Sequence, residues 1–482
     1  MSSSIDILEK VNQQVKKLKP LVGSDPYRLH YHLMPPVGLL NDPNGLVYYK
    51  GNYHVFYQWN PFETTHGSKF WGHYVSTDLV HWKEAPPALV PGDWYDKNGC
   101  YSGSAVVVGD TLYLFYTGNV KDQKGNRESY QCLAVSDDGI HFKKKGPVIH
   151  VPDGYTAHFR DPKVFRKNGK WYMVLGAQTK NKAGAAVLYT SDNLEEWSFL
   201  GTFAGSGHRN AGEFGYMWEC PDLLELNGTD ILLVCPQGMD SQGFQYQNTY
   251  QSGYFVGKVN YAEGNFDHGQ FVELDRGFDF YAPQTTIDPK GRTILFGWMG
   301  NAVEGDIQEP TVKYEWIHAL TLPRELEWKE GKLMQHPVEE LKRLRGKETR
   351  YKDVNLKGEQ QLSLRGQVFE MKVSFNSMEG ETLTLQVGES KLTYDQHEGV
   401  FTFQRKNYYT SQQESRHCYL QDLKEIHLFK DTSSIEIFLN DGEEVFTSRV
   451  FDDVQTDEIV VLTSGSVEMN LQKWDLHRVT PY

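Results

Sequence analysis

At 482 residues the chain is too long for one ordinary core, and two or three domains are expected. Its 49 basic and 63 acidic residues leave a net charge of −14, which argues against nucleic acid or an anionic membrane as partner, because nothing offsets phosphate repulsion over a broad surface. Five widely spaced cysteines, Cys100, Cys132, Cys220, Cys235 and Cys418, include no C-x-x-C pair, so neither a disulfide framework nor a zinc site is indicated.

The N-terminus has no apolar leader, and no stretch of about 18 apolar residues follows, so a cytoplasmic protein is expected. Leu8, Val11, Val15 and Leu18 are spaced three and four apart, which predicts a short amphipathic helix over 5–18 within an N-terminal extension, 1–28. Helical periodicity then vanishes. Residues 45–57 read as two strands around a Gly51-Asn52 turn, and the pattern returns at 104–116, 163–175, 222–234 and 284–297. The turn glycines, Gly51, Gly109, Gly169, Gly228 and Gly291, stand 58, 60, 59 and 63 residues apart. A second element keeps step: Ser76, Ser136 and Ser191 each open a turn that meets an aromatic six residues on, Trp82, Phe142 and Trp197. Five such units predict a five-bladed β-propeller over 29–340. Lys143, Lys144 and Lys145 form the longest basic run, read as a solvated loop. Residues 341–356 are densely charged and read as a linker. Alternating strands resume at 367–375, 433–442 and 458–462 and predict a β-sandwich over 357–482. The chain is thus all-β apart from its first helix.

Counting back from the turn glycines locates the chemistry. Asp42 lies nine residues before Gly51, Asp161 eight before Gly169, and Glu219 nine before Gly228. Blade 2 places Cys100, Tyr101 and Ser102 at that register, and blade 5 places Ala282, Pro283 and Gln284. The innermost strand of each blade lines the channel, so the three acids should converge on one funnel. A proline follows each within two residues, Pro43, Pro162 and Pro221. One Asp before a proline is most simply a turn cap. Three acids at one register repel one another unless they bind a cation or do chemistry. Two carboxyl groups flanking a bond are what glycoside hydrolysis needs, one to attack or activate water and one, of raised pKa, to protonate the leaving oxygen. The residues alone assign neither the roles nor the sugar.

Three segments resemble the signature motifs of glycoside hydrolase family 32: HLMPPVGLLNDPNG at 32–45, FRDPK at 159–163 and WECPD at 218–222. The likeness extends through YQWNP (57–61), WGH (71–73), YSGSA (101–105), FDFYAPQ (278–284) and LTLPREL (320–326), and so covers nearly the whole chain. The family holds invertases, sucrose-6-phosphate hydrolases, inulinases and levanases, and the chain looks most like the intracellular bacterial sucrose-6-phosphate hydrolases. The resemblance implies a five-bladed propeller followed by a β-sandwich, a retaining mechanism, and no cofactor or metal. By motif it implies Asp42 as nucleophile, Asp161 as transition-state stabiliser and Glu219 as acid/base, with substrate contacts at Asn41, Gln58, Tyr101, Ser102 and Arg160. One departure stands out. Many relatives carry a tryptophan eight residues after the matched glutamine, where this chain has His66. Trp71 is then the candidate for the apolar wall of the pocket, and His66 and Lys69 are candidates to meet a phosphate.

The expected activity is therefore retaining hydrolysis of sucrose-6-phosphate, sucrose or both, with a small sugar as partner and the protein a monomer or homodimer. Fructosyl transfer and fructan hydrolysis on the same fold, or a non-catalytic carbohydrate-binding propeller, are the alternatives.

Overall fold

The structure, a computed structural model, describes residues 4–208, 211–301, 308–358, 360–380 and 382–480. The opening helix spans Ser4–Gly23, longer than expected, with Pro20 near its end. Val11 and Val22 are buried, and Ile7, Val15 and Leu18 pack against the same core. The apolar stripe thus docks the helix on the body of the protein. Among the described residues no helix is long and apolar enough to cross a membrane.

Five antiparallel sheets follow, each built outward from its first strand. The first strands are Gly38–Tyr49, Cys100–Val108, Tyr155–Lys167, Met217–Leu226 and Tyr281–Ile287. Each packs against the first strands of both neighbouring blades, the fifth against the first included, so the ring is closed. A short parallel pairing of Trp316–Ile317 with Gly38 and Leu39 returns the chain from blade 5 to the inner edge of blade 1.

Turn chemistry explains the hairpin repeat. Lys50 and Gly51 have φ of 46° and 83°, Asn168 and Gly169 50° and 82°, and Asn227 and Gly228 51° and 79°. Two successive left-handed residues match the twist of the flanking strands. The first turn is thus centred on Lys50-Gly51, one residue earlier than expected. At all five turn glycines an added Cβ would meet nothing within 4 Å, so the backbone angle, not crowding, selects glycine.

The serine-led repeat is also a turn. The Ser136 hydroxyl accepts the Gly139 N–H at 2.9 Å, and that of Ser191 accepts the Leu194 N–H at 2.9 Å. The side chain two residues on, Asp78, Asp138 or Asn193, then accepts the next free N–H groups. Of the lysine run, Lys144 is not solvated: it lies in the strand Lys143–His150 and its Nζ reaches Asp96 at 2.6 Å.

Beyond blade 5 the expected linker is not one. Residues Glu339–Leu344 form a 3₁₀ helix with Leu341 and Leu344 buried, and Arg345–Lys357 is a strand of the sandwich. Among the described residues that strand pairs only with Ser466–Leu476, at the edge of a six-stranded sheet. Its charge is that of an exposed edge strand, which charged side chains protect from pairing with other chains. A second six-stranded sheet, from Gln361–Arg365 to Gln413–Tyr419, covers the first over an apolar core. Phe429, Phe438 and Val445 of the sandwich join the core of blades 1 and 5, so apolar packing runs across the boundary.

Candidate active site

Every first strand breaks its ladder at one level of the channel. The pairing skips between Leu40 and Pro43, Tyr101 and Gly103, Arg160 and Lys163, Glu219 and Asp222, and Tyr281 and Gln284. Such bulges re-aim side chains. At three of them a non-glycine residue is left-handed: Asp161, Cys220 and Ala282, with φ of 65°, 48° and 50°. Each costs on the order of 1–2 kcal/mol. A proline comes next in all three, Pro162, Pro221 and Pro283, and lacks the N–H that the broken ladder would have orphaned.

The bulges deliver Asp42, Asp161 and Glu219, from blades 1, 3 and 4, into one cavity of about 560 Å³, a volume that suits a small organic ligand. Ser102 donates its hydroxyl to Asp42 Oδ2 at 2.6 Å, and Asn41 donates Nδ2 to Oδ1 at 3.0 Å. The Cys220 thiol lies 3.7 Å from Oδ2 of both Asp42 and Asp161, and the Cys220 backbone N–H donates to Asp161 Oδ2 at 3.0 Å. Arg160 Nε stands 4.0 Å from Asp161 Oδ2 and donates to Glu219 Oε1 at 3.0 Å, with Nη2 bonded to the same oxygen. Glu219 Oε2 accepts from Gln237 Nε2 at 2.7 Å and from the Tyr281 hydroxyl at 2.8 Å. One unbroken path of contacts thus joins the three acids.

Electrostatics separate them. Burial raises the Asp42 pKa, and the Glu219 charge adds to that, while bonds from Ser102 and Asn41 and the Lys69 charge pull it back. Burial pushes Asp161 up to about 7 against the pull of Arg160, with the Glu219 and Asp42 charges adding to the rise. Glu219 moves the other way. Burial would raise it, but the Arg160 guanidinium and the Tyr281 hydroxyl bring it below the usual range. The raised pKa expected of the acid/base is therefore absent, because Arg160 turns its fork to Glu219.

Asn41, Gln58, His66, Lys69, Tyr101, Ser102 and Arg160 all line the cavity. Trp71 does not. It is fully buried against Phe56 and Tyr116, and its indole N–H donates to the Tyr101 carbonyl at 3.1 Å. It supports the strand that carries Tyr101 and Ser102 instead of forming a wall. The apolar wall comes from Trp298, Tyr250 and Tyr281, with the His66 ring edge-on to Trp298 at 6.1 Å. Sequence reasoning missed these residues and Gln237. Tyr281 alone carried a signal, since it stands beside the blade-5 register residue Ala282.

The family model for the glycosyl hydrolases family 32 N-terminal domain matches residues 32–337, and that for the family 32 C-terminal region matches 340–477. A curated relative, sucrose-6-phosphate hydrolase of Bacillus subtilis, is 51% identical over 476 residues, 98% of either chain. Among solved structures, sucrose-6-phosphate hydrolase of Lactobacillus gasseri superposes with a TM-score of 0.88 at 33% identity, covering 97% of both chains. An Asp→Ala variant of the Bombyx mori β-fructofuranosidase in complex with sucrose gives 0.85 at 35% identity, over 98% of this chain and 99% of that one.

Proposed function

Because the chain belongs to glycoside hydrolase family 32, we propose that its reaction, hydrolysis of sucrose-6-phosphate or sucrose, runs as a double displacement with Asp42 as nucleophile, Glu219 as acid/base and Asp161 as the group that steadies the fructosyl unit. The observation that carries this reading is the convergence of the three carboxylates on one cavity through linked side chains.

Asp42 is held by neutral donors, Ser102, Asn41 and the Cys220 thiol, which orient its oxygens without quenching them in an ion pair. It attacks the fructosyl C2 while Glu219 protonates the glycosidic oxygen, and a covalent fructosyl-enzyme results. Glu219 must first hold a proton. Fructosyl hydroxyls that bond Asp161 and Arg160 draw the guanidinium off Glu219, and burial then raises its proton affinity. On substrate binding the proton that burial keeps on Asp161 is exchanged through solvent for one on Glu219, so that Asp161 is the anion that stabilises the positive charge developing on the sugar ring. In the second step Glu219 deprotonates water, which displaces Asp42 and releases fructose with its configuration kept.

We place this activity inside the cell. A phosphorylated disaccharide does not cross a bilayer unaided, and the five cysteines are free thiols, as a reducing compartment favours.

Proton NMR of fructose at its first release tests the mechanism. The β-anomer should appear first, and mass spectrometry of enzyme quenched in turnover should find a fructosyl adduct on Asp42. Initial release of the inverted anomer would overturn the double displacement.

A further inference from the structure

Charge in the cavity is sorted by depth. The three carboxylates lie at the floor, whereas Lys97, Lys121 and Arg127 stand together at the mouth on the blade-2 side. Lys121 ends the strand Thr111–Lys121, and Arg127 begins the next, Arg127–Ser136. They are direct partners across that ladder, so both side chains leave the same face, an arrangement that is unfavourable for like charges. Asn98 ties Lys97 to the pair: its Oδ1 accepts the Lys121 N–H at 2.7 Å, and its own N–H donates to the Asn119 carbonyl at 3.1 Å.

None of the three cations has an ion-pair partner among the described residues. The nearby acids are turned elsewhere. Asp122 accepts from Asn126 and from the Lys124 N–H, each at 2.8 Å, and Glu128 accepts the Tyr130 hydroxyl at 2.6 Å. The Arg127 guanidinium lies 5.8 Å from the centre of the Tyr101 ring, which lines the same cavity. On a chain of net charge −14, three uncompensated cations on one edge of a cavity form a local positive field, the kind that concentrates an anion.

The other cations of the cavity are less suited to that anion. Arg160 faces Glu219 and, with substrate bound, turns to the fructosyl hydroxyls instead of the leaving glucosyl unit. Lys69 is 4% exposed and feels the charge of Asp42, so a dianion beside it would meet the nucleophile. His66 stands against Trp298, a residue of blade 5.

We propose that Lys97, Lys121 and Arg127 form a subsite for a phosphomonoester dianion and read the 6-phosphate of the leaving glucosyl unit. This moves the phosphate contact away from His66 and Lys69, and it rests on the fructofuranosidase reading above. Arg127 supplies a planar fork for two phosphate oxygens, and the lysines supply mobile point charges. Glucose-6-phosphate leaves by the same edge and is a competitive inhibitor there.

The test compares sucrose-6-phosphate with sucrose in the whole enzyme carrying Lys97→Ala, Lys121→Ala and Arg127→Ala, singly and together. The triple variant should raise KM for sucrose-6-phosphate by about 10–100-fold, as loss of charged hydrogen bonds implies, with kcat kept. Sucrose kinetics should stay within about twofold, and glucose-6-phosphate inhibition should weaken in parallel. Arg127→Lys should restore part of the discrimination. Raised salt should weaken sucrose-6-phosphate binding in the parent and less so in the triple variant. An unchanged ratio between the two sugars overturns the subsite, as does equal loss on both or loss of discrimination in His66→Ala alone. If the parent enzyme cleaves neither sugar, the fructofuranosidase reading itself fails. If it cleaves both with the same ratio before and after substitution, only the subsite fails.

Discussion

Two regions of this protein bury ionisable groups, and they treat them in opposite ways. Where the propeller meets the sandwich, each carboxylate of the junction meets a cation. Arg324, without exposure, donates to Asp275 at 3.0 Å and to Glu436 at 2.6 Å. His32 stands 2.8 Å from Asp431 and 3.0 Å from Glu436, Arg449 donates to Glu309 at 2.9 Å, and Arg405 pairs with Asp279. At the cavity floor, Arg160 faces Glu219 and stands 4.0 Å from Asp161, Asp42 is held by neutral donors, and Lys69 Nζ is buried without a hydrogen-bond partner among the described residues. Backbone strain gathers at the same level, at Asp161, Cys220 and Ala282. Paired charges specify how the domains dock; mismatched charges are held ready for a substrate to complete.

Exchanging losses between the two regions breaks the comparison most sharply. Asp42→Ala should lower kcat by on the order of 10⁴-fold or more, with melting temperature unchanged or raised, because a buried carboxylate is removed. Glu436→Ala should do the reverse. It leaves Arg324 and His32 facing an empty place, a loss of about 3–5 kcal/mol, while kcat per folded molecule stays near that of the parent. Thermal melts beside steady-state kinetics check both. A Glu436→Ala enzyme that melts normally would show that the junction is not held by its ion pairs.

Asp161→Asn should come next, with kcat down on the order of 10²–10³-fold and a stability effect of definite sign. The folded carboxyl titrates at about 7 against an ordinary 3.8, so between those values the native state keeps a proton that the unfolded chain gives up. The stability it contributes is full below about pH 4 and is lost as pH rises through 7. The asparagine variant lacks that loss, so its melting temperature should gain on the parent more at pH 8 than at pH 4. The junction titrates in a different window. Burial opposes the charge on His32, but Asp431 and Glu436 lift its pKa from 6.5 to about 9. That stability is present below 6.5 and lost as pH rises through 9, and His32→Gln should remove the dependence without moving the pH profile of kcat.

Much of this contrast is legible in the sequence, for reasons that can be named. The hairpins announce themselves because a left-handed turn demands glycine, as at Gly51 and Gly169. The acids announce themselves because those glycines fix their register. Left-handed Asp161, Cys220 and Ala282 leave no such mark, since the strain is borne by ordinary residues. Trp71 misleads because its strand, Phe70–Ser76, is buried on both faces but for Val75, and no alternation separates core from channel. Trp298 and Gln237 reach the cavity from second strands, outside the register being counted. The charge of 345–357 marks an edge strand, because composition alone does not distinguish a solvated linker from a half-solvated sheet edge.

The smallest effect sharpens the role of neutral donors at the floor. The Ser102 hydroxyl is the shortest contact to Asp42, at 2.6 Å, and acts to lower its pKa. Ser102→Ala leaves the fold untouched and removes one donor to a charged acceptor, so kcat/KM should fall by about tenfold. Without that bond burial acts on Asp42 less opposed, its pKa rises, and the acid limb of kcat/KM should move to higher pH. A fall in rate with no movement of that limb would mean that Ser102 contacts the sugar and does not tune the nucleophile. Movement of the limb with the rate at its plateau unchanged would mean the reverse.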